Sequence, residues 1–318
     1  HKVGKIGDLR ISKNNHMKEI YCVKSSNEVH QMLGLGAPKH PLITIIRKWP
    51  KIDFDFEKIK LTSELYLISM KGKIEGATFQ YGKGSYDFAD ATLVFLAPKQ
   101  VASFADPIEE LDDSGWTIMF HPDLIRRSEL GKEIENYSFF NYETNEALHL
   151  SDVEKQSLLE LVKKIDLELN INIDKHSQDI IIQNLESILK YSYRYYDRQF
   201  FTRTNRNKDL VSKFEQYLQS YFSSSDLSEK GVPSVKQCGE AMHMSGSYLS
   251  DLLKIETGRS AKDHISSHLI EKAKTTLLNS NSSISEIAFN LGFDYPQHFS
   301  QLFKKKVGMN PTKYRKSN

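Results

Sequence analysis

The chain is expected to be a multidomain α+β protein. An antiparallel β-barrel with helices is followed by an all-α C-terminal domain, in which a long helix joins two helix-turn-helix units. Three observations predict this. Short β-branched apolar runs punctuated by glycine fill the chain up to about Asn141. From Ser151 the apolar period becomes helical. A segment beginning at Ser234 repeats itself 49 residues later.

The N-terminal runs are Leu42–Ile46, Leu65–Met70, Thr92–Leu96 and Trp116–Phe120. Gly72, Gly76, Gly82, Gly84 and Pro98 separate them at turn spacing. Several short strands with glycine turns predict an antiparallel barrel or sandwich over residues 1–150. Ser151-x-x-Glu154 is then a capping-box pattern. Leu158, Val162, Ile165 and Leu169 follow on one helical face. A second helix is expected from about Ser177 to Phe200, with Ile181, Leu185 and Ile188 as its stripe. The pair, residues 151–201, fits either dimerisation or packing on the barrel. Residues 202–209 are polar, without apolar period, and read as a linker; 210–318 is the helical C-terminal domain.

Composition is that of an ordinary globular chain, 39% hydrophobic and 26% charged. No apolar run approaches a membrane span, and the polar start His1–Lys5 lacks a signal-peptide stretch. Two cysteines, Cys22 and Cys238, give no disulfide framework, and a cytoplasmic location is expected. Net charge is +2. Residues 208–318 hold 15 Lys/Arg against 11 Asp/Glu, so the basic excess sits C-terminally but is modest.

The repeat carries the functional argument. Ser234-x-x-Gln237 and Ser283-x-x-Glu286 are matching capping boxes. Gly239 and Ala288 hold matching positions where a second helix must approach closely. Met244-Ser245 aligns with Phe293-Asp294, a core residue followed by an N-cap. The offset then becomes 50, so that Tyr248–Lys254 aligns with His298–Lys304. Both copies end at glycine, Gly258 and Gly308. Each copy is a capped helix, a turn and a second capped helix, the helix-turn-helix plan. Ile265, Leu269, Ala273 and Leu277 mark the joining helix.

In the second unit Phe299, Leu302 and Phe303 form the buried stripe, leaving Gln297, Ser300, Gln301 and Lys304 on the opposite face. In the first, Leu249, Leu252 and Leu253 are buried, while Ser247, Ser250, Asp251 and Lys254 face out. Such a helix fits the major groove of double-stranded DNA, where glutamine bonds adenine bidentately and aspartate accepts from cytosine. Expected phosphate contacts are Lys254, Lys304 and Lys305, with Ser245, Tyr248 and His298. A solvated polar face is the bland alternative; two capped copies in register weigh against it.

Ile287–Asp294, His298–Lys305 and Gly308–Arg315 closely resemble the signature of AraC/XylS-type transcription regulators, over roughly residues 208–318. The resemblance implies base reading by Ser247, Ser250, Asp251, Pro296, Gln297, Ser300 and Gln301. It also implies activation through contact with RNA polymerase. Gly246 stands where many members have proline, and Asp251 where a basic or amide residue is common, so specificity is expected mostly from the second unit. Asp87–Pro98 and Gly115–Leu124 resemble the family's cupin-like sensor domain, which binds a small-molecule effector and dimerises through nearby helices.

Trp49, Phe79, Tyr81, Tyr86 and Phe95 are candidates to line an effector pocket; core packing is the competing reading. The histidines are scattered, without His-x-His, and no P-loop, Gly-x-Ser-x-Gly or zinc spacing occurs. No metal, cofactor or catalytic residue is therefore expected. The expected function is sequence-specific transcription regulation by an effector-controlled homodimer. The alternatives are a cupin-type enzyme with a DNA-tethering tail and a sequence-independent architectural protein.

Overall fold

A computed structural model describes residues 19–47, 59–71, 78–81, 84–87, 91–102, 115–143, 146–171, 174–202, 204–224 and 226–317. The chain divides into two compact units, His1–Gln199 and Phe200–Asn318.

The first unit opens with β1 (Glu19–Val23), α1 (Ser26–Met32), β2 (Ile43–Ile46), β3 (Ile59–Ser63) and β4 (Tyr66–Lys71). There follow β5 (Thr78–Tyr81), β6 (Gly84–Asp87), β7 (Thr92–Leu96), β8 (Val101–Ala102) and β9 (Trp116–Phe120). The four apolar runs expected as strands are β2, β4, β7 and β9. Short helices α2 (Pro122–Ile125) and α3 (Glu129–Glu133) lead to β10 (Leu148–His149). Helix α1 was not expected. Ser25 accepts from the Glu28 amide and the Glu28 carboxylate accepts from Lys24, a local Ser-x-x-Glu signal inside a region that otherwise reads as β.

Among the described residues the strands form three sheets rather than one closed barrel. The largest is antiparallel, in the order β10-β7-β4-β9-β2; β1-β3-β8 and the β5-β6 hairpin are separate. In the second sheet β1 runs parallel to β3, with α1 and β2 between them in the chain. Alternation in a sequence sets which face a residue takes but not which strand it pairs with, so the partition into sheets was not predictable from the runs.

Directly paired residues share a face. Met70 opposes Leu93 and Trp116, and Ile68 opposes Phe95 and Ile118. This face packs against aromatic rings: Phe95 lies 4.4 Å from Phe139 and 6.3 Å from Tyr196 between ring centroids. The other face carries Ser69, Thr92 and Thr117. The Ser69 and Thr117 hydroxyls are buried and hydrogen-bonded at 2.8 Å, while the buried Thr92 hydroxyl has no partner among the described residues. Ile46 and Met119 of the same face join Val23, Val29, Leu33 and Leu65 in a small core.

Helices α4 (Asp152–Asn170) and α5 (Ser177–Thr202) follow. Ser151 and Glu154 close the capping box, and both apolar stripes are buried as expected. Arg198 binds the Glu154 carboxylate and the His149 carbonyl, tying α5 to the start of α4.

The second unit contains α6 (Thr204–Ser223), α7 (Leu227–Lys230), α8 (Val235–Ala241) and α9 (Gly246–Thr257). It continues with α10 (Ala261–Asn279), α11 (Ile284–Asn290), α12 (Pro296–Val307) and α13 (Pro311–Ser317). The expected linker, 202–209, is not irregular: Thr204 to Asp209 is the first part of α6. Polarity by itself does not imply absence of packing. Asn207 is instead buried, its amide donating to the Phe200 carbonyl and the Glu256 carboxylate. One core joins Phe214 and Leu218 of α6 to Leu249 and Leu253, Ile265 through Leu277 on α10, Ile287, Phe299 and Phe303. Because α10 contributes to that single core beside both repeats, neither helix pair is an independently packed body.

Candidate nucleic-acid interface

Three of the four helices of the repeats begin at the caps the sequence announces. Ser234 pairs with Gln237 at the start of α8, and Ser283 with Glu286 at the start of α11, each as a closed capping box. Helix α9 is capped by Ser245, whose hydroxyl accepts from the Tyr248 amide. Gly258 and Gly308 end α9 and α12 in the left-handed region.

The turns are less symmetric than the caps. Between α8 and α9 the backbones approach so closely that a Cβ on Gly239 would stand 2.6 Å from the Gly246 nitrogen. Each turn also needs one left-handed residue. The second copy uses Gly292 (φ 85°), the first His243 (φ 59°), a bulky residue that tolerates this conformation at some cost. Asp294, expected as an N-cap, does not cap. The N-cap position of α12 is Tyr295, which makes no capping bond, with Pro296 at the first helical position. This is the one-residue insertion that moves the repeat offset from 49 to 50.

The expected reading residues are presented differently in the two copies. On α12, Gln297, Gln301, Lys304 and Lys305 are exposed, Pro296 and Ser300 half-buried. On α9, Ser247, Ser250 and Asp251 are all half-buried, and Lys254 is exposed. His298 is exposed beside Tyr295. Tyr248 is a correction: expected at a phosphate, it is buried, its ring 4.8 Å from Phe200. Phe200 lies 48 positions away in sequence, too remote for this packing to be foreseen.

Lys306, the third lysine of its run, is not available in the same way as Lys304 and Lys305. Its ammonium binds Asp263 on α10 at 2.8 Å. With the Ser260 hydroxyl it holds the Asp263 carboxyl well below the usual carboxylate range, against a small opposing effect of burial. A depressed carboxyl pKa contributes stability that is present above the unfolded value, about 4, and lost as pH falls towards the folded one. Both partners are a third to a half exposed, so screening limits the pair to about 0.2–1 kcal/mol. Lys306→Met should lower stability by that amount at neutral pH. The difference from the parent protein should shrink as pH drops below about 4. Denaturant unfolding at several pH values checks this, and a pH-independent difference would contradict it.

A second polar tie was not foreseen. Glu215 of α6 accepts from His264 Nδ1 at 2.5 Å and His268 Nε2 at 2.6 Å, both on α10. Burial pushes the Glu215 carboxyl up, but the two histidine hydrogen bonds outweigh it and hold the carboxyl below its usual value. The only sequence signal was the i, i+4 spacing of the histidines. This cluster holds α6 against the joining helix; among the described residues no group of three or more His, Cys, Asp or Glu is arranged to hold a metal ion.

Residues 238–317 match the family model described as a helix-turn-helix domain. That stretch spans the end of α8 through α13, the elements whose caps and turns repeat. The C-terminal region is an AraC-type helix-turn-helix domain. The chain is similar to the uncharacterized HTH-type transcriptional regulator YobQ of Bacillus subtilis (strain 168). They are 30% identical over 112 residues, 33% of this chain and 46% of that protein. It is also similar to the HTH-type transcriptional activator RhaR of Yersinia pestis bv. Antiqua (strain Angola). There the identity is 26% over 138 residues, 43% of this chain and 44% of that protein. In both cases less than half of the relative is spanned; one is named a transcriptional regulator and the other a transcriptional activator. Among solved structures, the C-terminal domain of AraT, a response regulator from Geobacillus stearothermophilus, is 34% identical. It covers 34% of this chain and 85% of its own, with a TM-score of 0.30. Within the AraC-type domain, then, the exposed amide and lysine residues cluster on α12, and the half-buried serines and aspartate on α9.

Of the aromatic pocket set in the first unit, only Phe95 has a side chain among the described residues. Trp49 lies outside the described residues. Phe79 and Tyr86 are backbone partners in the β5-β6 hairpin, which also contains Tyr81; their side chains are outside the described set. Phe95 is buried among Phe139, Phe140 and Tyr196 on the sheet face opposite the hydroxyl-bearing one. Core packing is the correct reading of Phe95. Among the described residues no helix is long and apolar enough to cross a membrane.

Proposed function

We propose that this protein is a sequence-specific DNA-binding transcription regulator. The observation that carries the reading is α12: a helix anchored by Phe299 and Phe303 in the domain core, with Gln297, Gln301, Lys304 and Lys305 exposed. Amides at one spacing and lysines at the distal end are what base reading and phosphate neutralisation need. In this reading Gln297, Ser300, Gln301 and Pro296 meet base edges, Lys304, Lys305 and His298 meet phosphate, and α9 contributes Ser247, Ser250, Asp251, Ser245 and Lys254 more weakly.

The finer parts of the proposal have separate supports. Activation through RNA polymerase is suggested by the relative named a transcriptional activator. A homodimer is suggested by exposed apolar residues on α4, at its end and on α5, among them Val153, Leu167, Ile171 and Tyr193. Control by a small-molecule effector in the N-terminal, cupin-like unit is supported by the buried Ser69–Thr117 hydroxyl pair and the Thr92 hydroxyl, without a partner among the described residues, on one sheet face. The protein acts in the cytoplasm.

Gel-shift titration of the full chain tests the central claim. A fragment from upstream of its own gene should be bound in preference to unrelated duplex, with affinity falling steeply as salt rises. Binding that ignores sequence would favour an architectural role and contradict the reading. A stoichiometric transition metal in the purified protein would favour an enzyme.

A further inference from the structure

We infer that Tyr295 is a specificity-determining residue of the second helix-turn-helix, its ring packing on the 5-methyl edge of a thymine next to the base pair met by Gln297. The inference rests on the reading of α12 as the recognition helix. Its basis is the difference between the two copies at one position. Where α9 has Ser245, whose hydroxyl caps the helix, α12 has Tyr295, whose side chain caps nothing.

The core position in that turn is taken by the preceding aromatic, Phe293, whose ring lies 5.5 Å from Phe299. Tyr295 is instead 58% exposed, and its ring meets exposed His298 edge-on at 5.5 Å. The ring is therefore available for contact with a partner that approaches the start of α12.

The position is the one that matters in a groove-reading helix, because its N-terminal residues approach the base edges. Pro296 restricts the residue before it to extended backbone, and Tyr295 has φ −132° and ψ 118°. The Cα–Cβ bond is therefore held in a narrow range of directions before binding, and little backbone freedom is lost on docking. The thymine methyl is the one apolar group that base pairs present in the major groove, so an exposed aromatic edge there selects thymine. The hydroxyl is not needed for that contact, which sets Tyr295 apart from the amide and lysine residues of the same helix.

The test uses the full chain and duplexes selected from a randomised pool. The parent protein should show a thymine preference at one position that Tyr295→Ala loses by about fivefold or more and Tyr295→Phe keeps. Replacing that thymine by deoxyuridine should weaken the parent protein by a similar factor and leave Tyr295→Ala unaffected. Thermal melting of the alanine variant, expected to match the parent because the side chain is exposed and caps nothing, excludes loss of fold as the cause. A thymine preference unchanged in Tyr295→Ala, or indifference of the parent to deoxyuridine, overturns the inference while the recognition-helix reading stands. A parent protein that selects no sequence overturns both.

Discussion

Phe303→Ala is expected to destabilise the C-terminal unit by about 3–5 kcal/mol, the range for truncating a buried phenylalanine. The side chain is fully buried, and its ring meets Phe299 at 5.7 Å and Tyr314 at 5.4 Å, both edge-on. Removing it leaves a void between α12 and α13 and strips contacts from Phe299, the other residue that seats α12 in the core. A loss of that size is a large part of the about 5–15 kcal/mol that holds a domain folded. Amide hydrogen exchange on the full chain reads the effect where it occurs: protection of α10 and α12 should fall by the equivalent free energy. Lys305→Ala, at an exposed position on the same helix, should stay within about 0.5 kcal/mol of the parent. A Phe303→Ala loss below about 1 kcal/mol would mean that α12 is not seated as described.

The second large effect is on DNA. Gln301→Ala should remove about 1–3 kcal/mol of discrimination at one base pair, and Gln297→Ala likewise at another, with little change on mismatched duplex. Lys304→Ala should weaken binding evenly across sequences and lower the slope of log affinity against log salt by about one. The contrast arises because an amide pairs with a particular donor–acceptor pattern, whereas an ammonium neutralises a phosphate that every sequence possesses. Binding isotherms on matched and mismatched duplexes at several salt concentrations measure all three. Equal losses on every sequence for all three variants would contradict the assigned roles.

The features legible in the sequence are those whose physics is local. A capping box is a pair of hydrogen bonds between residues three apart, so Ser151, Ser234 and Ser283 could be recognised and are found in that role. Apolar residues at helical spacing must share a face, and Leu158 to Leu169 and Ile265 to Leu277 do. The strand runs were legible for the same reason. What failed was non-local. Phe95 has the composition of a pocket residue, but pairing with Ile68 puts it on the helix-facing side of the sheet. Tyr248 had a surface role by alignment and a buried one through Phe200. Residues 202–209 were polar enough for a linker, yet Asn207 finds two partners, one of them about fifty positions away.

By itself, the sequence determined the duplicated helix-turn-helix: two copies, the caps of α8, α9 and α11, both glycine stops, the buried stripes and the residues left on the outer faces. Those follow from bonds and periodicities spanning fewer than a dozen residues, and they are enough to fix where one helix begins, which side it buries and where it ends. Only the tertiary structure decided how strongly each face is presented. It leaves Gln297, Gln301 and Tyr295 exposed while Ser247, Ser250 and Asp251 are half-buried, commits Lys306 to Asp263, and divides the described strands among three sheets. The reason is that exposure and pairing depend on which distant segment arrives alongside, and loop closure over dozens of residues leaves no local trace in the pattern of side chains.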